Sequence, residues 1–357
     1  MKEGITKSQS KILQGLAILM MLYHHLFSTP EILGTSYISL LNINGINIEL
    51  KMAWFFKICV GIYAFVSGYG LFRSMKSAKE KSNTTGFIDS LICDYKVVLK
   101  KLLRFYFDFW LVFIIFIGVG FVFFNKEFVL KDFLLNFFGL SNSYNGAWWY
   151  IFFYLKMLLI LPLIDCFFQI NKDKRSIIQK IIIYGLLFIA IMLVYFFQKP
   201  FFSEMLEFFM PAYALCFLIG YIFSRFEIYE WAYKLIGQKI MTILGILGFL
   251  AVIIVRVKMA KDASSAGLDF IFVPVFVYGF LTITSLVPRI SKIFEFFGKY
   301  SMFIWLVHVF FYDHYAKKIV MLSKVSIGIY LTLLLLSTAS AFVLSKLSSF
   351  CFNHKKQ

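Results

Sequence analysis

Two adjacent histidines, His24 and His25, lie within a long apolar run at residues 12–27. An imidazole at membrane depth is costly, and such a side chain usually has a function. Histidine is also the side chain best suited to accept and release protons near neutral pH. Neighbouring residues on a helix point about 100° apart, so the two rings cannot face the same way. We expect one ring to reach a cavity; the alternative is two interfacial histidines near the outer end of a helix.

A lysine and a glycine-containing segment interrupt the second apolar run. Lys57 lies near one end of that run, where a lysine can extend its amine toward the interface. In an antiparallel pair of spans, Lys57 would instead share the depth of His25. The segment Ser-Gly-Tyr-Gly at 67–70 lies toward the other end. It indicates either close helix packing or close approach of a ligand, which makes Ser67 and Tyr69 candidate ligand contacts.

Two basic residues precede the third apolar run. Lys101 and Arg104 are one helical turn apart and share one face of a helix. Together they could hold a phosphate group, because both cations bind phosphate oxygens. The alternative is ordinary anchoring at the cytoplasmic membrane surface. Asp108 lies one further turn along and could pair with Arg104 and orient it.

Aromatic residues cluster at the start of the fourth apolar run and again near the end of the chain. Trp148, Trp149 and Tyr150 are consecutive, whereas Trp305 and His308 are three residues apart and share a helix face. Tryptophan and tyrosine are typical of membrane-interface belts, and aromatic platforms also bind sugar rings. For His308, the alternatives are a substrate contact and a buried ring bonded to a neighbouring carbonyl.

The composition places these residues in a membrane protein. Of the 357 residues, 61% are hydrophobic and only 15% are charged, whereas soluble domains carry about 25% charged residues. The apolar runs are continuous rather than alternating, which excludes a β-barrel and predicts an all-α polytopic integral membrane protein. The net charge of +17 falls in short loops between apolar runs, which argues against nucleic acid as a partner. No paired His or Cys spacing predicts a metal site.

The apolar runs predict about ten transmembrane helices. With the N-terminus in the cytoplasm, about two-thirds of the Lys and Arg residues lie on the inner side, as the positive-inside rule requires. This bias predicts that both termini are cytoplasmic, with one transmembrane domain over residues 1–350 and a short cytoplasmic tail at 351–357. In the ninth segment, Gly298 followed by Ser301 predicts a helix that begins with a serine cap. The predicted segments are 11–27, 52–73, 105–124, 147–167, 178–197, 207–224, 239–257, 268–287, 301–319 and 325–349.

Five segments, taken in order along the chain, resemble the membrane-bound acyltransferase-3 family. Residues 14–25 look like that family's first helix, in which a basic residue precedes a histidine by eleven positions. Counting from Gln14, which stands at the basic position here, leads to His25. Residues 298–308 are similar to the family's Gly-Lys-x-Ser-x-x-Ile-Tyr/Trp-Leu-x-His ending. The other matches are a Phe-Val-x-Ser-Gly-Phe-like segment at 65–71, an Arg-x-x-Arg-like segment at 101–104 and a Trp-Tyr helix at 148–154 with Pro162.

The resemblance implies O-acyl transfer within the cell membrane of a bacterium, among membrane lipids. It implies a cytoplasmic acyl-CoA donor, most often acetyl-CoA, and an acceptor hydroxyl on a cell-surface glycan or lipid-linked sugar. His25 would act as general base or would carry the acyl group, with His24 in support. Lys57 or Tyr23 would stabilise the developing oxyanion.

The resemblance also divides the remaining candidates between donor and acceptor. Cations at the inner face would bind the CoA phosphates, and two further residues would line the donor path. Lys11, one turn before Gln14, would supply the charge that the family places at position 14. The donor candidates are Arg104, Lys101, Arg73, Lys11, Ser67 and Tyr69. The acceptor candidates are Trp148, Trp149, Tyr150, Trp305 and His308.

Two other functions are compatible with these residues. The first is a transporter or flippase for glycans or lipid-linked oligosaccharides, with basic and aromatic residues along its pathway. Transporters commonly contain repeated halves and broken helices; the sequence has Pro211 and Pro274 inside apolar runs but no internal repeat. The second is a structural assembly protein, in which His25→Ala would leave function intact.

Overall fold

The computed structural model describes residues 4–29, 37–43, 46–84, 86–170, 179–186, 189, 204–259 and 267–353. In these ranges the secondary structure is helical, apart from one hairpin of two-residue strands and a single bridge between Ile38 and Val325. The predicted all-α class is therefore confirmed. The strands are β1 (Asn42–Ile43) and β2 (Ile46–Asn47). The helices are α1 (Lys7–Phe27), α2 (Ile48–Phe56), α3 (Ile58–Lys81), α4 (Phe87–Phe123), α5 (Leu130–Phe137), α6 (Trp149–Ile170), α7 (residues 179–186), α8 (Glu204–Arg225), α9 (Ile228–Met259), α10 (Asp269–Leu286), α11 (Pro288–Val309), α12 (Lys317–Val320) and α13 (Ser326–Asn353), with a 3-10 turn at Gly146–Trp148 and a π-helical turn at Phe310–His314.

Seven of the described helical segments are long and apolar enough to cross a membrane. They correspond to the second, third, fourth, seventh, eighth, ninth and tenth predicted segments. The first predicted segment coincides with α1, and the sixth with α8, whose part Pro211–Arg225 is a shorter apolar helix. The fifth, 178–197, falls largely outside the described residues. The count of ten spans and the cytoplasmic termini therefore stay predictions.

The first helix begins one turn earlier than the apolar run indicates. The Gln9 backbone N–H donates to Thr6 Oγ1 at 3.2 Å, and the Thr6 N–H donates to Gln9 Oε1 at 2.9 Å. This capping box satisfies two backbone donors that a helix start leaves unpaired. As a result Lys7 and Lys11 both lie on α1, one turn apart on the same face.

The predicted serine cap at Ser301 is wrong. Helix α11 begins at Pro288, because the fixed backbone of proline suits the first helical position. Gly298 and Ser301 therefore lie inside the helix, where the Ser301 hydroxyl donates to the Gly298 carbonyl oxygen at 3.0 Å. Gly298 serves helix packing rather than a turn.

Helices α1 and α11 cross with their backbones in contact. A Cβ atom at Gly15 would lie 1.8 Å from the carbonyl oxygen of Phe294, and one at Gly298 would lie 1.8 Å from that of Lys11. Only glycine permits this approach, which is a common way for membrane helices to associate. The crossing places the first half of α1 beside the middle of α11.

A second crossing of the same kind joins α3 and α8. A Cβ atom at Gly68 would lie 2.0 Å from the carbonyl oxygen of Phe217, and one at Gly220 would lie 2.0 Å from that of Phe65. At Gly70, by contrast, a Cβ atom would meet nothing within 4 Å. Of the two alternatives for the segment 67–70, close helix packing explains Gly68.

Candidate active site

One cavity of about 230 Å³ lies between α1, α3, α6 and α11. Lys11, Gln14 and Lys299 line it near the start of α1, and His25 lines it near the end of the same helix. Lys11 and His25 are separated by roughly 20 Å along the helix axis. The wall between these ends is mainly aromatic. It includes Tyr63, Phe105, Trp149, Tyr150, Tyr154 and Trp305.

His25 is the member of the histidine pair that lines this cavity. Its Nδ1 lies 3.3 Å from Tyr312 Oη. Its ring centroid lies 4.9 Å from that of His308, and the two rings are nearly perpendicular. Tyr312 was not a candidate from the sequence; the signal that could have found it is its spacing of one helical turn from His308.

His308 is fully buried beside His25. Its Nδ1 donates to the carbonyl oxygen of Trp305 at 2.7 Å, which leaves Nε2 as the nitrogen with a lone pair. Among the described residues Nε2 has no hydrogen-bond partner. The carbonyl-bonded alternative therefore accounts for one ring nitrogen, and the other is an unused acceptor next to the cavity.

His24 does not line the cavity and bonds to α2 instead. Its Nδ1 donates to the carbonyl oxygen of Ala53 at 2.8 Å. Because α2 ends at Phe56 and α3 begins at Ile58, carbonyls in the last turn of α2 lack helical partners. His24 satisfies one of them, which gives it a supporting position.

Lys57 is the single residue between α2 and α3, inside the second predicted span. It comes four residues, about one helical turn, after Ala53, whose carbonyl oxygen accepts the hydrogen bond from His24. The structure thus brings this lysine to the depth of the histidines, although it does not line the cavity itself.

Arg256 stabilises the end of α2, next to Lys57. This residue was not among the candidates from the sequence. Its Nη1 donates to the carbonyl oxygens of Phe55 at 2.6 Å and Trp54 at 3.2 Å. Its Nε and Nη2 form a bidentate pair with the Asp269 carboxylate at 2.7 and 3.0 Å. Both side chains are fully buried. The available signal was a lone arginine at the end of an apolar run with an aspartate across the next loop.

Tyr23 lies on a different face of α1 and does not line the His25 cavity. Its ring centroid lies 5.1 Å from that of Phe56 and 5.8 Å from that of Tyr330. With them it lines a second cavity of about 510 Å³. Two positions along a helix rotate a side chain by about 200°, so Tyr23 points away from His25. The geometry places Tyr23 outside the site predicted for it.

The tryptophans of the fourth and ninth predicted segments bond reciprocally to each other's helix. Trp148 Nε1 donates to the carbonyl oxygen of Leu306 at 3.1 Å, and Trp305 Nε1 donates to that of Ala147 at 3.2 Å. Trp148 is fully buried in the core and does not line the cavity. The substrate candidates that do line the cavity are Trp149, Tyr150 and Trp305.

The two basic residues of the third predicted segment have different surroundings. Arg104 Nε donates to Asp108 at 3.1 Å, and its Nη2 donates to Ser348 Oγ on α13 at 2.9 Å. The predicted pairing of Arg104 with Asp108 is therefore confirmed. Lys101 is half-buried on α4 and does not line the cavity.

Tyr69 bonds to the beginning of the chain, and Arg73 bonds to α9. Arg73 Nη2 donates to Glu230 of α9 at 3.0 Å, and the Ile5 backbone N–H donates to Tyr69 Oη at 3.0 Å. Neither side chain lines the cavity, whereas Ser67 does. From the sequence, Arg73 at the end of an apolar run is a candidate phosphate ligand. Its carboxylate partner, Glu230, is far away in the chain and is identified only by the fold.

Lys11 lies at the mouth of the cavity. Its Nζ donates to Gln14 Oε1 at 3.0 Å and to the Gly298 carbonyl oxygen at 3.4 Å. The amide of Gln14 thus holds the ammonium group close to the position where the resembled family has a cation.

The described residues contain no group of three or more His, Cys, Asp or Glu side chains that could hold a metal ion. The five cysteines are all free, and Cys59, Cys166 and Cys216 are buried. The titratable side chains that line the cavity are those of lysine, tyrosine and histidine.

Comparison with known proteins gives the class of this chain. A family model described as an acyltransferase domain, Acyl_transf_3, matches residues 9–346. No curated protein and no solved structure matches the chain. The matched range includes the whole cavity from Lys11 to Trp305 and both ends of the His25–His308 contact. The chain therefore belongs to the acyltransferase-3 family and is a multi-pass membrane enzyme that transfers acyl groups.

Proposed function

We propose that this enzyme transfers an acyl group, most readily acetyl, from acyl-CoA to a hydroxyl of a cell-surface glycan or lipid-linked sugar in the bacterial cell membrane. The donor enters at the end of the cavity that carries Lys11, which we assign to the cytoplasmic side. The acceptor hydroxyl reaches His25 at the other end. Transfer takes place inside the membrane.

The observation that carries this proposal is the single cavity that joins Lys11 and Lys299 to His25. Its length of roughly 20 Å and its small volume of about 230 Å³ suit a thin, extended chain such as the pantetheine arm of CoA. Its cationic mouth suits the phosphates at one end of that donor, because lysine binds phosphate as a point charge. Its histidine end suits the thioester at the other.

His25 is the proposed general base. It accepts the proton of the acceptor hydroxyl while the oxygen attacks the thioester carbonyl carbon. The carbon–sulfur bond then breaks, and the leaving thiolate takes up the proton. Tyr312 Oη, 3.3 Å from His25 Nδ1, orients the ring, and the charge of Lys57 stabilises the developing oxyanion.

The cavity volume bears on the transporter alternative. Pockets for drug-sized ligands are typically about 300–1,000 Å³, and this cavity is smaller, at about 230 Å³. An oligosaccharide is wider than a pantetheine chain and would need a larger passage. The volume of this cavity therefore suits the pantetheine arm of the donor better than an oligosaccharide.

The proposal is tested with detergent-purified protein, radiolabelled acetyl-CoA and surface glycan extracted from cells that lack this protein. We expect label on the glycan together with an equal amount of free thiol. His25→Ala should give neither product while it still binds acetyl-CoA, and His24→Ala serves as the matched control. If the wild-type protein ignores acetyl-CoA yet moves labelled glycan across vesicles, it is a transporter.

A further inference from the structure

We propose that Lys11, Lys292 and Lys299 form a phosphate-binding site at the mouth of the His25 cavity. This proposal rests on the proposed acyl-CoA donor, whose phosphates would be the ligand. It assigns the main phosphate contacts to α1 and α11 rather than to the basic pair of α4, to which the family resemblance points.

The site has its own cavity. A space of about 380 Å³ is lined by Lys11, Lys292, Glu295, Phe296 and Lys299. Two of these residues, Lys11 and Lys299, also line the cavity that leads to His25. The two spaces therefore adjoin at a pair of ammonium groups, where a ligand can rest its anionic end and extend its other end inward.

The local structure explains why three lysines meet here. Lys292 and Lys299 are seven residues apart, or two helical turns, so they share one face of α11. The backbone contact between Gly15 and Gly298 brings α1 against the same part of α11. Lys11, one turn before Gly15, consequently lies over that face.

The charge of these lysines is not compensated inside the protein. Other cations near the same end of the bundle bind carboxylates: Arg73 with Glu230, Lys76 with Glu227, Lys79 with Asp94 and Asp165, Arg104 with Asp108, and Arg225 with Asp165. Within the described part of the chain, Lys11, Lys292 and Lys299 form no such ion pair. Like charges gathered in one space repel each other, and a bound polyanion relieves that repulsion.

Glu295 is the one acidic residue that lines this space. With three lysines it leaves the site with an excess of positive charge. Its carboxylate opposes phosphate binding, so removal of its charge should strengthen binding. This opposite sign separates an electrostatic effect from a general loss of structure, which would weaken binding in every variant.

The test measures CoA binding to the full-length protein in detergent by isothermal titration calorimetry. Lys292→Gln and Lys299→Gln should each raise the Kd for CoA about three- to fivefold, the effect expected of partly exposed ion pairs. Glu295→Gln should lower it. Binding of S-acetylpantetheine, which carries no phosphate, should not change. Lys96→Gln is the matched control, because Lys96 is an exposed lysine on α4 that lines neither cavity.

Two results would overturn the assignment: an unchanged Kd for CoA in both lysine variants, or an equal loss of S-acetylpantetheine binding. If the wild-type protein does not bind CoA at all, the proposed donor is wrong, and inorganic pyrophosphate then tests the site alone. If the wild-type protein binds pyrophosphate and Lys299→Gln binds it more weakly, the phosphate site is supported. If the wild-type protein does not bind pyrophosphate, the proposed site is wrong.

Lipid headgroups are a second source of phosphate, and nanodiscs distinguish the two. If CoA is the ligand, its Kd should be similar in phosphatidylcholine and phosphatidylglycerol nanodiscs after correction for ionic strength. If phosphatidylglycerol abolishes CoA binding to the wild-type protein, and Lys299→Gln removes this sensitivity, the lysines bind lipid and the donor assignment fails.

Discussion

Gly15 and Gly298 lie in close backbone contact, and the arrangement of the lysines at the mouth of the His25 cavity depends on that contact. A Cβ atom at either position would lie 1.8 Å from a carbonyl oxygen of the facing helix. The same crossing places Lys11 within 3.4 Å of the Gly298 carbonyl oxygen and beside Lys299. The position of Lys11 relative to Lys299 therefore depends on glycine at positions 15 and 298, where any larger residue would separate the helices.

This contact predicts a large effect from a small substitution. Gly298→Ala should force α1 and α11 apart and destabilise the protein by about 1–3 kcal/mol, as overpacking of a tight core does. Thermal unfolding in detergent measures the loss. Gly70→Ala is the matched control, because a Cβ atom there meets nothing within 4 Å. Equal stability of the two variants would contradict the close contact.

The different surroundings of the histidines predict different losses of activity. His25→Ala should lower kcat by roughly 10²–10⁴-fold, the usual contribution of a general base. His24→Ala removes only the bond to the Ala53 carbonyl oxygen and should lower kcat far less. Steady-state transfer assays on both variants check this. The reverse ranking would assign the chemistry to His24.

Tyr312 and Tyr23 form a second matched pair. Tyr312→Phe removes the hydroxyl that lies 3.3 Å from His25 Nδ1 and should lower kcat about tenfold with little change in donor KM. Tyr23→Phe removes a hydroxyl that faces the other cavity and should leave kcat near the wild-type value. A loss confined to Tyr23→Phe would show that the second cavity takes part in transfer.

The buried pair of Arg256 and Asp269 should dominate stability at the His25 end. Arg256→Met leaves the Asp269 carboxylate buried without its partner, and breaking such a pair costs about 3–5 kcal/mol. Chemical denaturation followed by tryptophan fluorescence measures this cost. Lys76→Met is the control, since Lys76 and Glu227 form an exposed pair whose contribution should be about 0–1 kcal/mol. Comparable losses in the two variants would contradict this ranking.

Composition alone determined that this is a helical membrane protein. Continuous apolar runs require helices in a bilayer, because every backbone polar group must be satisfied within the chain. The resemblance to the family's first helix, counted from position 14, pointed to His25, which is the histidine that lines the cavity. Local rules also predicted the Arg104–Asp108 pair, because residues one turn apart on a helix are neighbours wherever the helix packs.

Only the tertiary structure decided which face of each helix meets which partner. It placed Tyr312 beside His25 and Tyr23 in another cavity, and it gave Arg73 a carboxylate from α9. Sequence patterns could not have shown this, because lipid and the protein interior are equally apolar. A helix surrounded by either has no polar face to mark its orientation. Whether a helix face contacts lipid or another helix depends on glycine contacts and buried ion pairs, which join residues far apart in the chain.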